Sequence, residues 1–334
     1  LATLLAVTPA LAYEALSVRS FSMSEAEGGL LLHDLPEDLD EADLRADITI
    51  GLRELVHDLA ITRGRLPWIA FPTAGLPLGD SELTVNLRAD GRDLGSVTTV
   101  VTRRPVRANA VQVDRLGGDL VVDGLPFFPC GFYCDSPVQA TLAEEVVARG
   151  FNLMSPYQSN DPVTVDERRQ TMDRSAELGM KVHFQLLRVA GGGSSPAPDT
   201  SAARRRAWLR AEVESFRHHP ALLAWYISEE PAGHGVTPEE LEAAAAIVRQ
   251  LDPYHPVTIF VNPGASARYA GAMDLAMTDP YPTPDTPSGD VAGAVRTVRD
   301  AVAPRVPLWL VPQAFGGNQW WSREPTATEL RLMT

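Results

Sequence analysis

Lysine is almost absent from this chain: Lys181 is the only one, and arginine supplies the rest of the Lys and Arg charge. Acidic residues outnumber basic ones enough to leave a net charge of −14. A surface of that sign repels phosphate backbones and anionic headgroups, which argues against nucleic acid or an acidic membrane as a partner. Long apolar runs are missing as well. Only LATLLAVTPALA (1–12) stands out, and no other run approaches the ~20 residues of a membrane span. Residues 1–12 end in the small-x-small pattern Ala10-Leu11-Ala12 before Tyr13-Glu14, as the back half of a secretory signal peptide does. A buried helix or strand is the other reading of this stretch. The mature protein is expected to be secreted or periplasmic.

Cysteine is scarce. Cys130 and Cys134 lie four apart in PFFPCGFYCD, which on a strand puts them on one face roughly 13 Å apart. A disulfide needs Cα atoms within about 7 Å, so no bridge is expected and both read as small buried residues. No HExxH or other spaced metal set is found among the seven histidines. His218-His219 reads as a packing or capping pair at a helix end. GxGxxG and GxSxG are absent, and GGGSSPAPDTS (191–201) lacks the Lys-Ser/Thr of a phosphate loop, so it reads as a flexible lid or linker. No cofactor and no metal are expected.

What is present is a soluble globular composition, 45% hydrophobic and 22% charged, in a chain of 334 residues, long enough for a large domain and a small one. From 13 to 108 the texture is β-like. ALSVRSFSM, RADITIGL, SELTVNLRADG and GSVTTVVTR alternate or carry β-branched runs between turn residues, with a hairpin expected at Asp90-Gly91. Roughly seven short strands suggest a β-sandwich, with LREL-VHDLA a candidate short helix. From 109 to 334 the order changes. A hairpin turning on Asp123-Gly124 leads into alternating strands and helices: FFPCGFY and helix 137–149, FNLMSPY and 164–179, KVHFQLL and 201–218, LLAWYIS and 238–251, VTIFVN and 265–272, DLAMTD and 289–303, then LWLVPQAF and a helix opening at Thr326. Thr164, Thr237 and Thr326 each precede a Glu by three residues, the capping-box spacing. Repeated strand–helix order implies a parallel sheet, and seven units favour a (β/α)₈-type barrel, incomplete at seven strands. The chain stops at ELRLMT inside the seventh helix, so it reads as a fragment with an open barrel, two exposed sheet edges and poor stability alone.

Barrel sites form at the C-terminal strand ends. Those ends carry Tyr133 and Asp135; Tyr157 and Gln158; Gln185 and Arg188; Glu229 and Glu230; Asn262; Asp279 and Tyr281; and Gln313. This is the layout of a polar, hydroxyl-rich ligand site, although strand ends also turn polar merely by meeting water. Trp320-Trp321 could offer a stacking face for a sugar ring or anchor a loop.

HPALLAWYISEEP (219–231), the run WLVPQAFGG and a sandwich leading into VDGLPFFP together resemble the clan A glycoside hydrolases, most of all family-two-like enzymes with an N-terminal β-sandwich. The resemblance covers most of 109–334 and, more loosely, the sandwich. It implies an oligosaccharide, polysaccharide or glycoconjugate substrate and assigns Glu230, before Pro231, as general acid/base. It departs at two places: Glu229 stands where the clan has Asn, and Gln313 where it has the nucleophilic Glu. An amide cannot form the glycosyl-enzyme ester of the retaining mechanism. The adjacent acids are similar to those of substrate-assisted hexosaminidases, with Glu229 and Tyr281 polarising an acetamido group while Glu230 donates the proton. Strand alternation leaves the other possibility that Glu229 simply bonds a neighbouring strand end or Arg188. The expected function is a secreted glycoside hydrolase; the alternative is a carbohydrate-binding protein on a hydrolase-like barrel without catalysis, and Asp279 and Asp135 are the carboxylates to inspect opposite Glu230.

Overall fold

The computed structural model describes residues 13–334 apart from 37–38, 40–41, 65, 136–138, 140, 148, 192–200 and 283–285. The signal-like stretch 1–12 and nearly all of the glycine-serine linker lie outside the described residues. The chain divides into two compact units, one of residues 1–106 with Asp114–Gly117, the other of 107–113 with 118–334.

The first unit holds seven strands: β1 (Glu14–Ser17), β2 (Glu27–His33), β3 (Leu44–Ile50), β4 (Arg53–Ala60), β5 (Trp68–Pro72), β6 (Gly79–Ala89) and β7 (Arg92–Arg103). They form a sheet ordered β1-β2-β5 and a second ordered β4-β3-β6-β7. Leu30, Leu32, Ile69 and Phe71 from one sheet pack with Ile48, Leu83, Val85 and Leu87 from the other in one core. This is a sandwich. The β6–β7 hairpin turns at Asp90 and Gly91, with φ of 49° and 76°, the left-handed pair such a tight turn requires. The expected helix at LREL-VHDLA is instead edge strand β4, paired antiparallel with β3. Its helix-like spacing is accidental, because on a sheet edge little of the strand is buried and no face has to be apolar.

In the second unit β8 (Val111–Asp114), β9 (Asp119–Val122) and β10 (Leu125–Phe127) make a small antiparallel sheet. Then come β11 (Gly131–Cys134), α1 (Leu142–Val147), β12 (Leu153–Pro156), α2 (Val165–Glu177), β13 (Lys181–Gln185), the short α3 (Leu187–Ala190), α4 (Ala202–Phe216), β14 (Leu222–Ser228), α5 (Pro238–Leu251), β15 (Val257–Phe260), β16 (Leu275–Thr278), α6 (Val291–Val302), β17 (Leu308–Leu310) and α7 (Ala327–Met333). Strands β11 to β17 pair in sequence order, all parallel, in one seven-stranded sheet. Gly131 is needed there, since a Cβ would lie 2.3 Å from the Leu153 carbonyl oxygen of β12.

The sheet is strongly curled. Tyr133 on β11 and Phe260 on β15 are four strands apart, about 19 Å in a flat sheet, yet their ring centroids are 6.2 Å apart. His183 on β13 and Trp309 on β17 likewise approach to 6.3 Å. One face therefore wraps round an interior as in a (β/α)₈-type barrel, incomplete at seven strands, while Phe184, Trp225, Ile227 and Ile259 meet the helices on the other. At the N-terminal ends Val111, Val113, Leu120 and Val122 of the small sheet pack on Leu153, Leu223 and Leu275 and fill the interior.

Thr237 and Thr326 form the expected capping boxes. Thr164 does not: a 3₁₀ turn, Pro162–Thr164, runs straight into α2, so Thr164 is already inside a helical path. Asp161 caps that turn, and the Thr164 hydroxyl accepts from Arg168 at 2.7 Å. Cys130 is exposed and lies before β11 rather than buried on it; Cys134 is half-buried, and both are free. The helix expected at 137–149 is shorter, and that at 265–272 is a 3₁₀ helix over Ser266–Ala272. His219 accounts for itself at a helix end by bonding Asp173 at 3.0 Å.

Candidate active site

The opening feature is how β14 ends. Tyr226 pairs with Thr258, but Ser228 pairs with Ile259, so one residue of β14 has slipped out of step. Ile259 belongs to the helix-side core and Phe260 to the inner one. Paired residues of parallel strands point the same way, so the bulge turns Ser228 outward and returns Glu229 to the face shared by Tyr226. Simple alternation from Tyr226 would have sent Glu229 towards the helices. Glu230 follows with φ of 43°, a left-handed conformation rare for a residue with a side chain and one that marks functional turns. Pro231 bars it from the right-handed helical region. Its N–H donates to the Phe260 carbonyl at 3.1 Å, and its carbonyl accepts from Gly233 N–H at 2.9 Å. The Asn262 amide, just past β15, donates to Glu230 Oε1 at 2.8 Å. One carboxylate oxygen is thereby fixed.

Asp279, just past β16, is the third acid. Burial, with Glu230 and Glu229 adding to it, pushes its carboxyl up to about 7, although a hydrogen bond from Tyr281 opposes the rise. Burial, then Glu230, also raises Glu229. Asp279 therefore keeps its proton into the neutral range. Neither Asp279 nor Glu229 has a cation among the groups that act on it. Tyr281 is in turn held by edge-on rings, with centroids 5.0 Å from Phe315 and 5.6 Å from Trp321, and those two are 5.0 Å apart.

Beneath the acids lies an aromatic floor. Tyr133 stacks on Tyr157 at 5.5 Å and tilts against Tyr226 at 6.2 Å. Tyr226 stacks on His183 at 4.8 Å. Burial, and then neighbours that include Glu229 and Asp279, holds the hydroxyls of Tyr133 and Tyr226 well above the ordinary phenol range. The two hydroxyls lie against one another, both shielded from solvent. His183 Nε2 meets Thr258 Oγ1 at 2.5 Å and Nδ1 meets Ser155 Oγ at 3.2 Å. Burial drops its pKa to about 3, so the ring is neutral and structural.

The remaining strand-end residues divide. Gln185 is buried and donates to Ser155 O and Oγ at 3.3 and 3.2 Å, bracing the interior beside His183. Gln313 is also buried, three residues beyond β17, with its amide donating to Phe315 O at 3.0 Å. Gln158 is buried, Tyr157 is 42% exposed, and Asp135 is exposed at the rim, where it acts on the Tyr157 hydroxyl together with Glu229 and Asp279. Arg188, on α3, makes no ion pair with any of the acids among the described residues. Of the tryptophan pair, Trp321 joins the aromatic wall, whereas Trp320 is 70% exposed. Asn318 Oδ1 accepts from the backbone N–H of Trp320 and of Trp321, at 2.9 and 2.8 Å. Sequence reasoning missed Tyr226, His183 and Phe315. The first two lie one layer below the strand ends, and their inward phase could have been read from the alternation in KVHFQ and AWYIS.

No family profile matches the chain, and no curated protein matches it. Solved structures do overlap with it. A GH2 beta-galacturonidase from Eisenbergiella tayi bound to galacturonate superposes with a TM-score of 0.47 at 14% identity, covering 87% of this chain and 54% of that one. A beta-D-glucuronidase from Dictyoglomus thermophilum gives 0.46 at 13%, covering 96% and 57%. A putative glycoside hydrolase from Bacteroides vulgatus gives 0.45 at 14%, covering 86% and 64%. The chain spans little more than half the length of the first two. Overlap this slight transfers no residue role. The site must speak from its own geometry.

Proposed function

We propose that the chain is a glycoside hydrolase in which Glu230 is the general acid/base. The observation that supports this best is the convergence of Glu229, Glu230 and Asp279 at the C-terminal ends of β14 and β16, over a floor of tyrosines. With Oε1 bonded by Asn262, the other oxygen of Glu230 is left to give a proton to the leaving-group oxygen and to take one back from water. Gln313 carries an amide and bonds its own chain, so it supplies no nucleophile. That role falls to Asp279, to Glu229, or to a 2-acetamido group of the substrate itself. For the last route the polarising pair is Asp279 with Tyr281, since the hydrogen bond joins those two residues.

Hydrolysis of an aryl-glycoside panel that includes N-acetylhexosaminides, run beside Glu230→Gln, tests this. Turnover should drop by about 10²–10⁴ in the variant. Equal turnover in the two proteins would sink the assignment. The buried amide of Gln313 favours the second reading, a carbohydrate-binding protein without catalysis; sugar binding by the folded chain with no turnover on any substrate would establish it. The pattern Ala10-Leu11-Ala12 supports export, which processing after Ala12 in a secreting host would check.

A further inference from the structure

We propose that Arg188 selects the sugar that this cleft takes, by reading an oxyanion on it, a carboxylate or a sulfate ester. The proposal rests on the reading that the cleft binds a sugar, and it adds the chemical class of that sugar.

Arg188 stands at the C-terminal end of β13, the strand that pairs with β14. Only Leu186 separates β13 from α3. The rest of α3 is held by packing: Leu187 joins the inner core, Val189 and Ala190 the helix-side core. Arg188 is half-buried between them. Its Nε is shut off from water without a partner, and no hydrogen bond or ion pair reaches its guanidinium among the described residues. Half-buried and buried arginines elsewhere in the second unit are bonded, Arg107 to Asp252, Arg168 to Glu212, Arg217 to the Leu251 carbonyl and Arg249 to Asp274. A guanidinium donates through five N–H groups, accepts nothing and keeps its charge. Holding one half-buried and unpaired costs free energy, which an oxyanion offsets through parallel charge-assisted hydrogen bonds.

A second unused group follows the neighbouring strand. Gln158, just past β12, is buried with its Oε1 unpartnered. The Asn160 amide donates to the Gln185 carbonyl at 2.8 Å and so ties the loop after β12 to the end of β13. This sector therefore carries an amide that can meet a hydroxyl and a cation that can meet an anion, and acidic or sulfated sugars bring both. The acids stand elsewhere, Glu229 and Glu230 past β14 and Asp279 past β16, and Arg188 is not among the groups that act on Glu229 or Asp279. Proton chemistry and charge recognition thus occupy different sectors of the strand ends.

The test is binding of methyl glycosides in matched series, with a C6 hydroxyl, a C6 carboxylate or a 6-O-sulfate, in both gluco and galacto configurations. Titration calorimetry at pH 6.5 reads the affinities at physiological ionic strength, where the field of the net charge fades within about 8 Å. At least one anionic sugar should bind about tenfold tighter than its neutral counterpart, and the two anions compared show which oxyanion fits. Arg188→Gln should erase the preference, and Arg188→Lys should keep part of it, since lysine holds the charge without the planar fork. Arg188→Gln should also unfold at or above the parent's temperature, because it breaks no bond in the free protein, whereas loss of an arginine that holds the fold together lowers Tm. Anionic sugars that bind no tighter than neutral ones overturn the proposal, as do a preference that survives Arg188→Gln, a lowered Tm in that variant, and a series in which no sugar binds. Failure of the hydrolase reading is distinguishable: an anion preference that depends on Arg188 without any turnover removes catalysis and leaves this assignment standing. Turnover confined to neutral sugars does the reverse.

Discussion

Asp279→Asn should make the protein more stable above neutral pH and leave it unchanged in acid. Asp279 is an acid whose folded-state pKa lies above its unfolded one, raised by burial and by Glu230 and Glu229 from 3.8 to about 7. Between those values the unfolded chain has lost its proton and the folded chain still holds it. The folded state binds more protons there, so stability falls as pH rises through that window. At 1.36 kcal/mol per unit the loss approaches about 4 kcal/mol above pH 7, an upper bound because water entering the cleft relieves part of it. Asparagine keeps an acceptor for the Tyr281 hydroxyl and removes the charge. A gain of 1 kcal/mol moves Tm by about 2–4 °C in a unit of this size. Thermal unfolding should therefore show the variant several degrees more stable at pH 8 and level with the parent at pH 4. A variant no more stable at pH 8, or one with the same gain at both pH values, would refute the description of Asp279 as a desolvated, crowded acid.

Asn262→Ala removes the bond that fixes Glu230 Oε1. A hydrogen bond to a charged group is worth about 1.5–3 kcal/mol, so kcat/KM should fall about 10–100-fold with Tm held, measured on whichever aryl glycoside is turned over best. Glu212→Ala strands the Arg168 guanidinium, which with its partner is almost wholly buried. Breaking a pair of that kind costs about 3–5 kcal/mol, readable as a loss of roughly 10 °C in Tm. Burial outweighs Arg168 in setting the Glu212 carboxyl, which is raised; replacing both residues with Met and Leu should accordingly recover most of the loss.

The architecture was legible because its signals are periodic. The four β-like stretches singled out before 108 fall on β1, β3, β6 and β7 of the sandwich, and strand-then-helix order after 130 is the parallel sheet. Two hairpins could be placed by their Asp-Gly turns, whose backbone requirement is local. Errors came where tertiary setting decides. LREL-VHDLA has a helix-like spacing that edge pairing overrode, and Thr164 has a capping spacing that a preceding 3₁₀ turn pre-empted. For the cleft, residue type was readable but direction was not. Glu229 depends on a one-residue bulge and Glu230 on a left-handed φ, neither of which has a signature in LLAWYISEEP. The bond between Asp279 and Tyr281 joins residues two apart past a strand end, where loop geometry rather than alternation sets their facing. Gln313 turned out to be buried and engaged with its own loop, which no motif in WLVPQAFGG announces.

The role of Glu230 is tested most directly by the leaving-group dependence of Glu230→Gln. An acidic leaving group such as 2,4-dinitrophenol departs without protonation, whereas an alkyl alcohol needs a proton from the enzyme. If Glu230 is the general acid, the variant should cleave the dinitrophenyl glycoside within about tenfold of the parent where bond cleavage limits the rate, and lose about 10²–10⁴ on the methyl glycoside. Equal losses on both, in a variant that unfolds at the same temperature as the parent, would contradict the account.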